Sequence, residues 1–117
     1  MNAKLQVLER AITELLAAAP ETAASTTMRW WSPLRLDLER IEHGQRRWIY
    51  VHATDLASTS GDYVLFLGFY SDPPGEVFWE GRRMGDLALA LAAVRACIIE
   101  LAPPESLPPP MPDPSAA

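Results

Sequence analysis

The chain has 117 residues, of which 49% are hydrophobic and 21% charged, and its net charge is −5. This composition is typical of one globular domain with a single core, and the acidic balance counts against a nucleic-acid-binding domain, which usually presents a basic surface. The single cysteine excludes an intrachain disulfide, and charges within MNAKLQVLER interrupt the apolar stretch that a signal peptide needs, so we expect a cytoplasmic protein.

The first predicted element is an amphipathic helix over residues 3–19. Leu5, Leu8 and Ile12 recur with helical spacing on one face, and Pro20 is expected to end the helix. A polar linker is predicted over 21–27. The next stretch, Met28 to Pro33, should be an extended lead-in, in which the adjacent side chains of Trp30 and Trp31 face opposite sides.

Residues 34–51 are predicted to form a β-hairpin. Leucines alternate with charged residues from Leu34 to Glu39, and Gly44 supplies the positive φ of a two-residue turn. This turn sets a register that pairs Glu42 with Gln45 and places every aliphatic residue on one sheet face. The opposite face receives, in pairs, Arg35 and His52, Asp37 and Tyr50, Glu39 and Trp48, and Ile41 and Arg46.

Two further strands are predicted after a loop at 54–62. The apolar run 63–70 has the length and composition of a central strand, and residues 76–80 form the returning strand. Pairing Tyr70 with Glu76 places Gly68 opposite Phe78, where the missing side chain leaves room for the ring.

A helix over residues 86–101 is predicted next, with Asp86 as its N-cap. This helix is apolar on nearly every side, which favours a central core helix, or one that also forms a subunit interface. It is short for a membrane span and contains charges, so no membrane association is expected. Cys97 within it should be a buried, inert thiol. Residues 103–117 include seven prolines and are predicted to be an extended, largely disordered tail, which either has no role or docks on an aromatic groove.

These elements predict an α+β fold, with a four-stranded antiparallel meander flanked by an N-terminal and a C-terminal helix in the order αββββα. The domain is expected to span residues 1–102 and the proline-rich tail 103–117. Both helices should cover the aliphatic sheet face, because each apolar face must be buried against another layer.

No residue pattern indicates catalysis. His43 lies in a turn, and His52 has no serine or cysteine placed by spacing to act as its nucleophile. The chain lacks zinc-ligand spacing and phosphate-binding glycine motifs, so no metal or cofactor is expected. Carboxylates that alternate along a sheet face are typical of a solvated surface. They are Asp37, Glu39, Glu76 and Glu80.

The second sheet face is predicted to display aromatic rings within a charged rim, which resembles the energetic centre of protein interfaces. The alternative is that Trp30, Trp31 and the 54–62 loop, or one helix, cover this face. The candidate partner-binding residues are Trp30, Trp31, Arg35, Arg46, Arg47, Trp48, Tyr50, Tyr70, Phe78, Arg82 and Arg83.

The first functional hypothesis is a small protein-binding inhibitor of the immunity or anti-defence type, resembling in role an anti-CRISPR protein of a phage or mobile element. Its partner would be another protein and not nucleic acid. The second hypothesis is a secretion or assembly chaperone that forms a homodimer through helix 86–101. The third is a small-ligand-binding or enzymatic domain with a pocket between sheet and helices.

Overall fold

An antiparallel sheet of five strands forms the centre of the fold, and each strand is hydrogen-bonded to its neighbour in the chain. The structure, a computed structural model, describes residues 2–53, 63–72, 75–84 and 86–102, and over residues 77–84 it describes the backbone alone. The strands are β1 (Thr26–Ser32), β2 (Arg35–Glu42), β3 (Gln45–His52), β4 (Tyr63–Ser71) and β5 (Gly75–Met84).

The additional strand is β1, where the sequence predicted a polar linker followed by an extended lead-in. It lies at the edge of the sheet and pairs with β2, which places Met28 opposite Leu38 and Trp30 opposite Leu36. The expected four-stranded meander is therefore corrected to five strands. The prediction failed because Thr26 and Thr27 lack the apolar alternation that marks a half-buried strand.

The N-terminal helix α1 (Ala3–Ala17) begins with an Asn2 cap, whose Oδ1 accepts a hydrogen bond from the Leu5 N–H at 3.0 Å. Pro20 follows this helix and also begins the next one. It occupies the first turn of a short helix α2 (Pro20–Ala24), where its missing N–H costs nothing. The predicted polar linker thus contains a helical turn.

The predicted register of the central hairpin is confirmed at every pair, from Arg35 opposite His52 to Glu42 opposite Gln45. Its turn has positive φ at both central residues, 52° at His43 and 76° at Gly44, as a turn matched to the right-handed strand twist requires. The predicted pairing between β4 and β5 is also confirmed.

The core lies between one sheet face and the helices. Leu5, Leu8 and Ile12 of α1 pack with the aliphatic residues of β2, β3 and β4, as the alternation predicted. Full burial of each such side chain contributes about 1.5–3 kcal/mol before conformational entropy is subtracted. The buried sheet residues of this core are Leu36, Leu38, Ile49, Val51, Tyr63, Leu65 and Leu67.

The C-terminal helix differs from the uniform α-helix predicted over 86–101. The predicted cap is confirmed, because Asp86 Oδ1 accepts a hydrogen bond from the Leu89 N–H at 2.8 Å. Helix α3 (Leu87–Val94) then widens into a π-helical turn (Arg95–Ile99), and Leu101 turns the chain with a φ of 49°. The predicted 54–62 loop and the 103–117 tail lie outside the described residues.

Candidate functional site

The sheet face opposite the helices, here called the outer face, is not covered by any described helix. It collects the alternate residues of each strand, which the register brings into neighbouring rows. The outer-face residues of β1 to β4 are Thr27, Arg29, Trp31, Arg35, Asp37, Glu39, Ile41, Arg46, Trp48, Tyr50, His52, Val64, Phe66, Gly68 and Tyr70.

A groove of about 400 Å³ crosses this face above β2. Trp31 stands at its β1 side with 59% of its surface exposed, and Tyr50 lies at its β3 side. Small-molecule pockets have volumes of about 300–1,000 Å³, so this groove lies near the lower end of that range. The groove is lined by Thr27, Arg29, Trp31, Arg35, Asp37, Leu38, Glu39, Arg46 and Tyr50.

Arg35 is held rigidly within the groove. Its Nε and Nη2 donate to the two carboxylate oxygens of Asp37 at 2.6 and 3.0 Å, which is the bidentate geometry of a strong ion pair. Its guanidinium carbon also lies 5.0 Å from the ring centre of Trp31 and 4.2 Å from that of Tyr50. The guanidinium therefore joins two aromatic rings into one preorganised surface.

Arg46 and Arg29 make the groove locally positive on an acidic protein. Arg46 Nε donates to Glu39 Oε2 at 2.5 Å. Although burial lowers the pKa of Arg46, the hydrogen bond and negative charge of Glu39 outweigh this effect and the pKa is raised. Arg29 lies 5.2 Å from the ring centre of Trp31, and no carboxylate of the described residues pairs with it. The groove thus holds one more positive charge than it holds carboxylates.

Trp48 does not display its ring as predicted. Its side chain is only 3% exposed, because the indole lies directly over Gly68: a Cβ at Gly68 would approach Trp48 Cζ2 to 1.8 Å. The Arg46 guanidinium lies 4.5 Å from the same ring. Trp48 is therefore a structural residue of the outer face and not an exposed anchor. The side chain of Phe78, which was expected above Gly68, lies outside the described residues.

Trp30 and Arg47, also predicted to contact a partner, lie on the helix side of the sheet. Trp30 Nε1 donates to Glu9 Oε2 of α1 at 2.5 Å, and the Arg47 side chain is 5% exposed. Strand alternation explains both positions. Trp30 precedes the outer-face Trp31, and Arg47 lies between two outer-face residues.

Two buried arginines hold the end of the last helix, a feature that the sequence analysis missed. Arg40 and Arg47 are cross-strand neighbours on the helix side of the sheet. Arg40 Nη1 donates to the carbonyls of Ile98 at 2.8 Å and Ile99 at 3.2 Å, and Arg47 donates to those of Ala102 at 2.5 Å and Leu101 at 3.1 Å.

The free carbonyls of a helix C-terminus carry partial negative charge, so these bonds compensate the buried cations. Burial nevertheless lowers the pKa of Arg47. The one available sequence signal was that the alternation already put Arg40 and Arg47 on the aliphatic face.

The remaining predicted residues divide into two groups. Tyr50 is half-buried and Tyr70 is 44% exposed, both on the outer face as predicted. The backbones of Arg82 and Arg83 pair with Leu65 and Val64, while the side chains of both arginines lie outside the described residues.

Helix α3, the predicted homodimer interface, is buried on one side through Ala90, Ala93 and Val94. Its outward side exposes Leu89, 49% accessible, and contributes to a shallow cleft that also includes Arg95 and Glu100. The homodimer remains a prediction.

His52 is the histidine of the outer face. It is half-buried, contacts the Phe66 ring edge-on at 4.9 Å between centroids, and faces Arg35 across the strand pair. Burial and, secondarily, the positive charge of Arg35 lower its pKa, although Asp37 opposes the shift. His52 is therefore held mainly in its neutral form near pH 7.

Within the described ranges, no group of three or more histidine, cysteine or acidic side chains is arranged to hold a metal ion. Among the same residues, no helix has both the length and the apolar character needed to cross a membrane. Comparisons with protein-family models, with curated proteins and with solved structures find no significant match to this chain.

Proposed function

We propose that this protein binds another protein through the outer-face groove and inhibits that partner by occupying its functional surface. The observation that carries this proposal is the exposed Trp31 ring beside Arg35, which Asp37 and Tyr50 hold in place. Tryptophan and arginine are the residue types most enriched at the energetic centres of protein interfaces. A preorganised pair loses little side-chain entropy on binding, so more of its contact energy appears as affinity.

The charge pattern supports a protein partner over a nucleic acid. The chain carries a net charge of −5, and two of the three groove arginines are paired with carboxylates of the groove. A nucleic-acid site would need unpaired cations to contact phosphates. The described side chains between sheet and helices pack into a mainly aliphatic core, which supports the outer-face groove over a ligand pocket in that layer.

The test is differential capture by matched variants. The full-length chain, its Trp31→Ala variant and its Leu89→Ala variant serve as baits in lysate of the native host, and captured proteins are identified by mass spectrometry. Trp31 and Leu89 are similarly exposed, but Leu89 lies on α3, away from the groove. A partner that depends on the groove should be retained by Leu89→Ala and lost by Trp31→Ala.

Binding measurements with the purified partner then give the size of the affinity loss. Trp31→Ala should weaken binding at least about 30-fold, as expected for loss of about 2 kcal/mol at an interface anchor. Adding the wild-type protein to the partner's own activity assay should reduce that activity stoichiometrically. Equal capture by both variants, with both still folded by circular dichroism, would exclude the groove as the binding site.

A further inference from the structure

The groove lies beside an open edge of the sheet. Strand β1 is the end strand and pairs with β2, and its outward-facing side chains, Thr27, Arg29 and Trp31, line the groove. Among the described residues, the β1 backbone forms hydrogen bonds to no element other than β2. An edge of this kind offers N–H and C=O groups with which an extended segment can pair.

The phase of the ladder between β1 and β2 shows which backbone groups face this edge. The Ile41 N–H donates to Ser25 O at 3.2 Å, one pair beyond the first register pair of β1. Hydrogen-bonded pairs alternate along an antiparallel ladder, so the next residue, Thr26, belongs to a pair without such bonds. The backbone groups directed at the free edge are therefore those of every second residue, namely Thr26, Met28 and Trp30.

Arg29 supplies a positive charge beside this edge. It is exposed and lies opposite Asp37, but both carboxylate oxygens of Asp37 bond to Arg35. Since no carboxylate of the described residues pairs with Arg29, one further carboxylate would balance the charge of the groove. A phosphate group carries about two negative charges and would be repelled more strongly by Asp37 and Glu39.

The same arginine disfavours a second copy of this chain at the edge. Two β1 strands that pair antiparallel over their whole length would place Arg29 opposite Arg29 of the second copy. Like charges directly opposite each other destabilise a strand pair, whereas opposite charges stabilise it. The charge at the edge therefore favours a different segment, one that places a carboxylate opposite Arg29.

We infer that the partner adds an extended segment to β1 as an additional antiparallel strand, with an Asp or Glu side chain opposite Arg29. This inference rests on the proposed function, because it names the part of the partner that lies at the groove. A register shift at Trp31 limits regular pairing to residues 26–30. Side chains on one sheet face are two residues apart, so the residue two positions before the acid lies beside Trp31. The exposed indole favours an apolar side chain there, which makes the recognised pattern apolar–x–acidic.

The experiment uses a random linear peptide library displayed on phage as the probe and the full-length chain as the bait. The wild type should enrich peptides with the apolar–x–acidic pattern. Arg29→Glu reverses the charge at the edge and should enrich Lys or Arg in place of the acid. Arg10→Glu is the matched control, because Arg10 is exposed on α1, on the other side of the sheet, and this bait should keep the acidic preference. In a synthetic peptide of the enriched sequence, changing the acid to Gln should weaken binding about two- to fivefold.

Hydrogen exchange with that synthetic peptide tests the backbone pairing. In the free wild type, the amides of Met28 and Trp30 should exchange faster than those of Thr27 and Arg29, which face β2. The peptide should slow exchange at Met28 and Trp30. If the peptide binds and leaves these two amides unprotected, it contacts the groove through side chains alone and the inference is overturned.

Three other results would also overturn the inference. The baits could enrich no common sequence, or the wild type and Arg29→Glu could enrich the same one. Protection of Met28 and Trp30 could rise with protein concentration in the absence of peptide, which would identify a second copy as the occupant. The proposed function survives each of these results as long as the partner captured from lysate depends on Trp31, and it fails separately if that dependence is absent.

Discussion

Gly68 shows how one residue without a side chain shapes the outer face. The Trp48 indole occupies the space where a Cβ would lie, so the ring is buried on a face that has no helical cover. This arrangement removes an otherwise exposed indole from the surface. It leaves Trp31 as the exposed tryptophan among the described side chains of that face.

Changing Gly68 to Ala should destabilise the fold, because the new methyl group and the Trp48 ring cannot share the same space. We expect a loss of about 1–3 kcal/mol or more in the free energy of unfolding, measured by chemical denaturation. The matched background is Trp48→Leu, whose smaller side chain relieves the overlap. In the Trp48→Leu background, Gly68→Ala should lower the free energy of unfolding by less than it does in the wild type. An equal loss in both backgrounds would contradict the contact between Gly68 and the Trp48 ring.

The sequence predicted the Phe78 ring over Gly68, whereas the Trp48 indole occupies that space. In the confirmed register Gly68 is flanked by Trp48 on β3 and by Phe78 on β5, so both are neighbours of the same bare backbone. Strand alternation assigns a residue to a face. It does not determine which of two adjacent rings turns inward, because that choice depends on rotamers and on packing with other side chains.

At the scale of elements, the C-terminal helix and the central hairpin are joined by Arg40 and Arg47. Four carbonyls between Ile98 and Ala102 receive hydrogen bonds from these two guanidinium groups. Leu101 adopts a left-handed φ of 49°, which is costly for a leucine. The bonds from Arg47 to Leu101 and Ala102 hold that conformation in place.

Arg47→Leu should therefore loosen the end of the helix. Each lost hydrogen bond from a charged donor is worth about 1.5–3 kcal/mol, and the carbonyls left behind are partly buried. Hydrogen exchange at the amide of Ala102, which bonds to Ala96 O, should accelerate with the loss of stability. Arg46→Leu is the control. The Arg46 side chain is partly exposed and pairs with Glu39 on the outer face, and losing such an ion pair lowers the free energy of unfolding by about 1 kcal/mol or less.

If the two leucine variants exchange equally fast at Ala102, the carbonyl contacts do not hold the helix end.

The sequence predicted correctly those elements whose structure is determined by residues close together in the chain. The hairpin combines alternation with a two-residue turn, and Asp86 caps the helix that begins beside it. The π-helical turn had no such signal, because Arg40, which bonds its carbonyls at Ile98 and Ile99, lies 58–59 residues away in the chain. The edge strand β1 was also missed, because Thr26 and Thr27 lack apolar alternation and only the pairing with β2 identifies the segment as a strand.

For the whole molecule, His52 links the outer face to the pH dependence of folding. Burial and Arg35 lower the pKa of His52, so in the folded state it binds a proton less readily than in the unfolded chain. Where the unfolded chain binds more protons, stability rises with pH. The contribution of His52 to the free energy of unfolding is complete above the ordinary histidine pKa of about 6.5, and it decreases as the pH falls below that value.

We therefore expect the free energy of unfolding of the wild type to decrease between pH 7 and pH 5 more steeply than that of His52→Gln. The matched control is His43→Gln, which removes a histidine from the exposed hairpin turn, at the opposite end of the strand pair from Arg35. All three proteins contain the same carboxylates, so the difference between the wild-type and His52→Gln curves reports the loss of His52 together with its interactions with Arg35 and Asp37. If the free energy of unfolding depends on pH in the same way for wild type and His52→Gln, the half-buried position of His52 beside Arg35 is contradicted.

The division of the sheet into two unlike faces was predictable, but its functional meaning was not. Alternation and the turn at Gly44 are sufficient to separate the aliphatic face from the aromatic and charged one. The sequence could not show that Trp48 is buried while Trp31 is exposed, or that Arg35 is fixed between Trp31 and Tyr50. These facts depend on packing between three strands, and they define the candidate site.

The alternation across the hairpin also limits how the gene for this protein can change. Arg46 and Arg47 are adjacent in the chain yet serve opposite surfaces, so inserting or deleting one codon within either strand would exchange the two surfaces beyond that point. Aliphatic side chains would then meet water and the groove residues would meet the helices. Length variation should therefore be confined to the turn, where paired insertions preserve the frame of the strands.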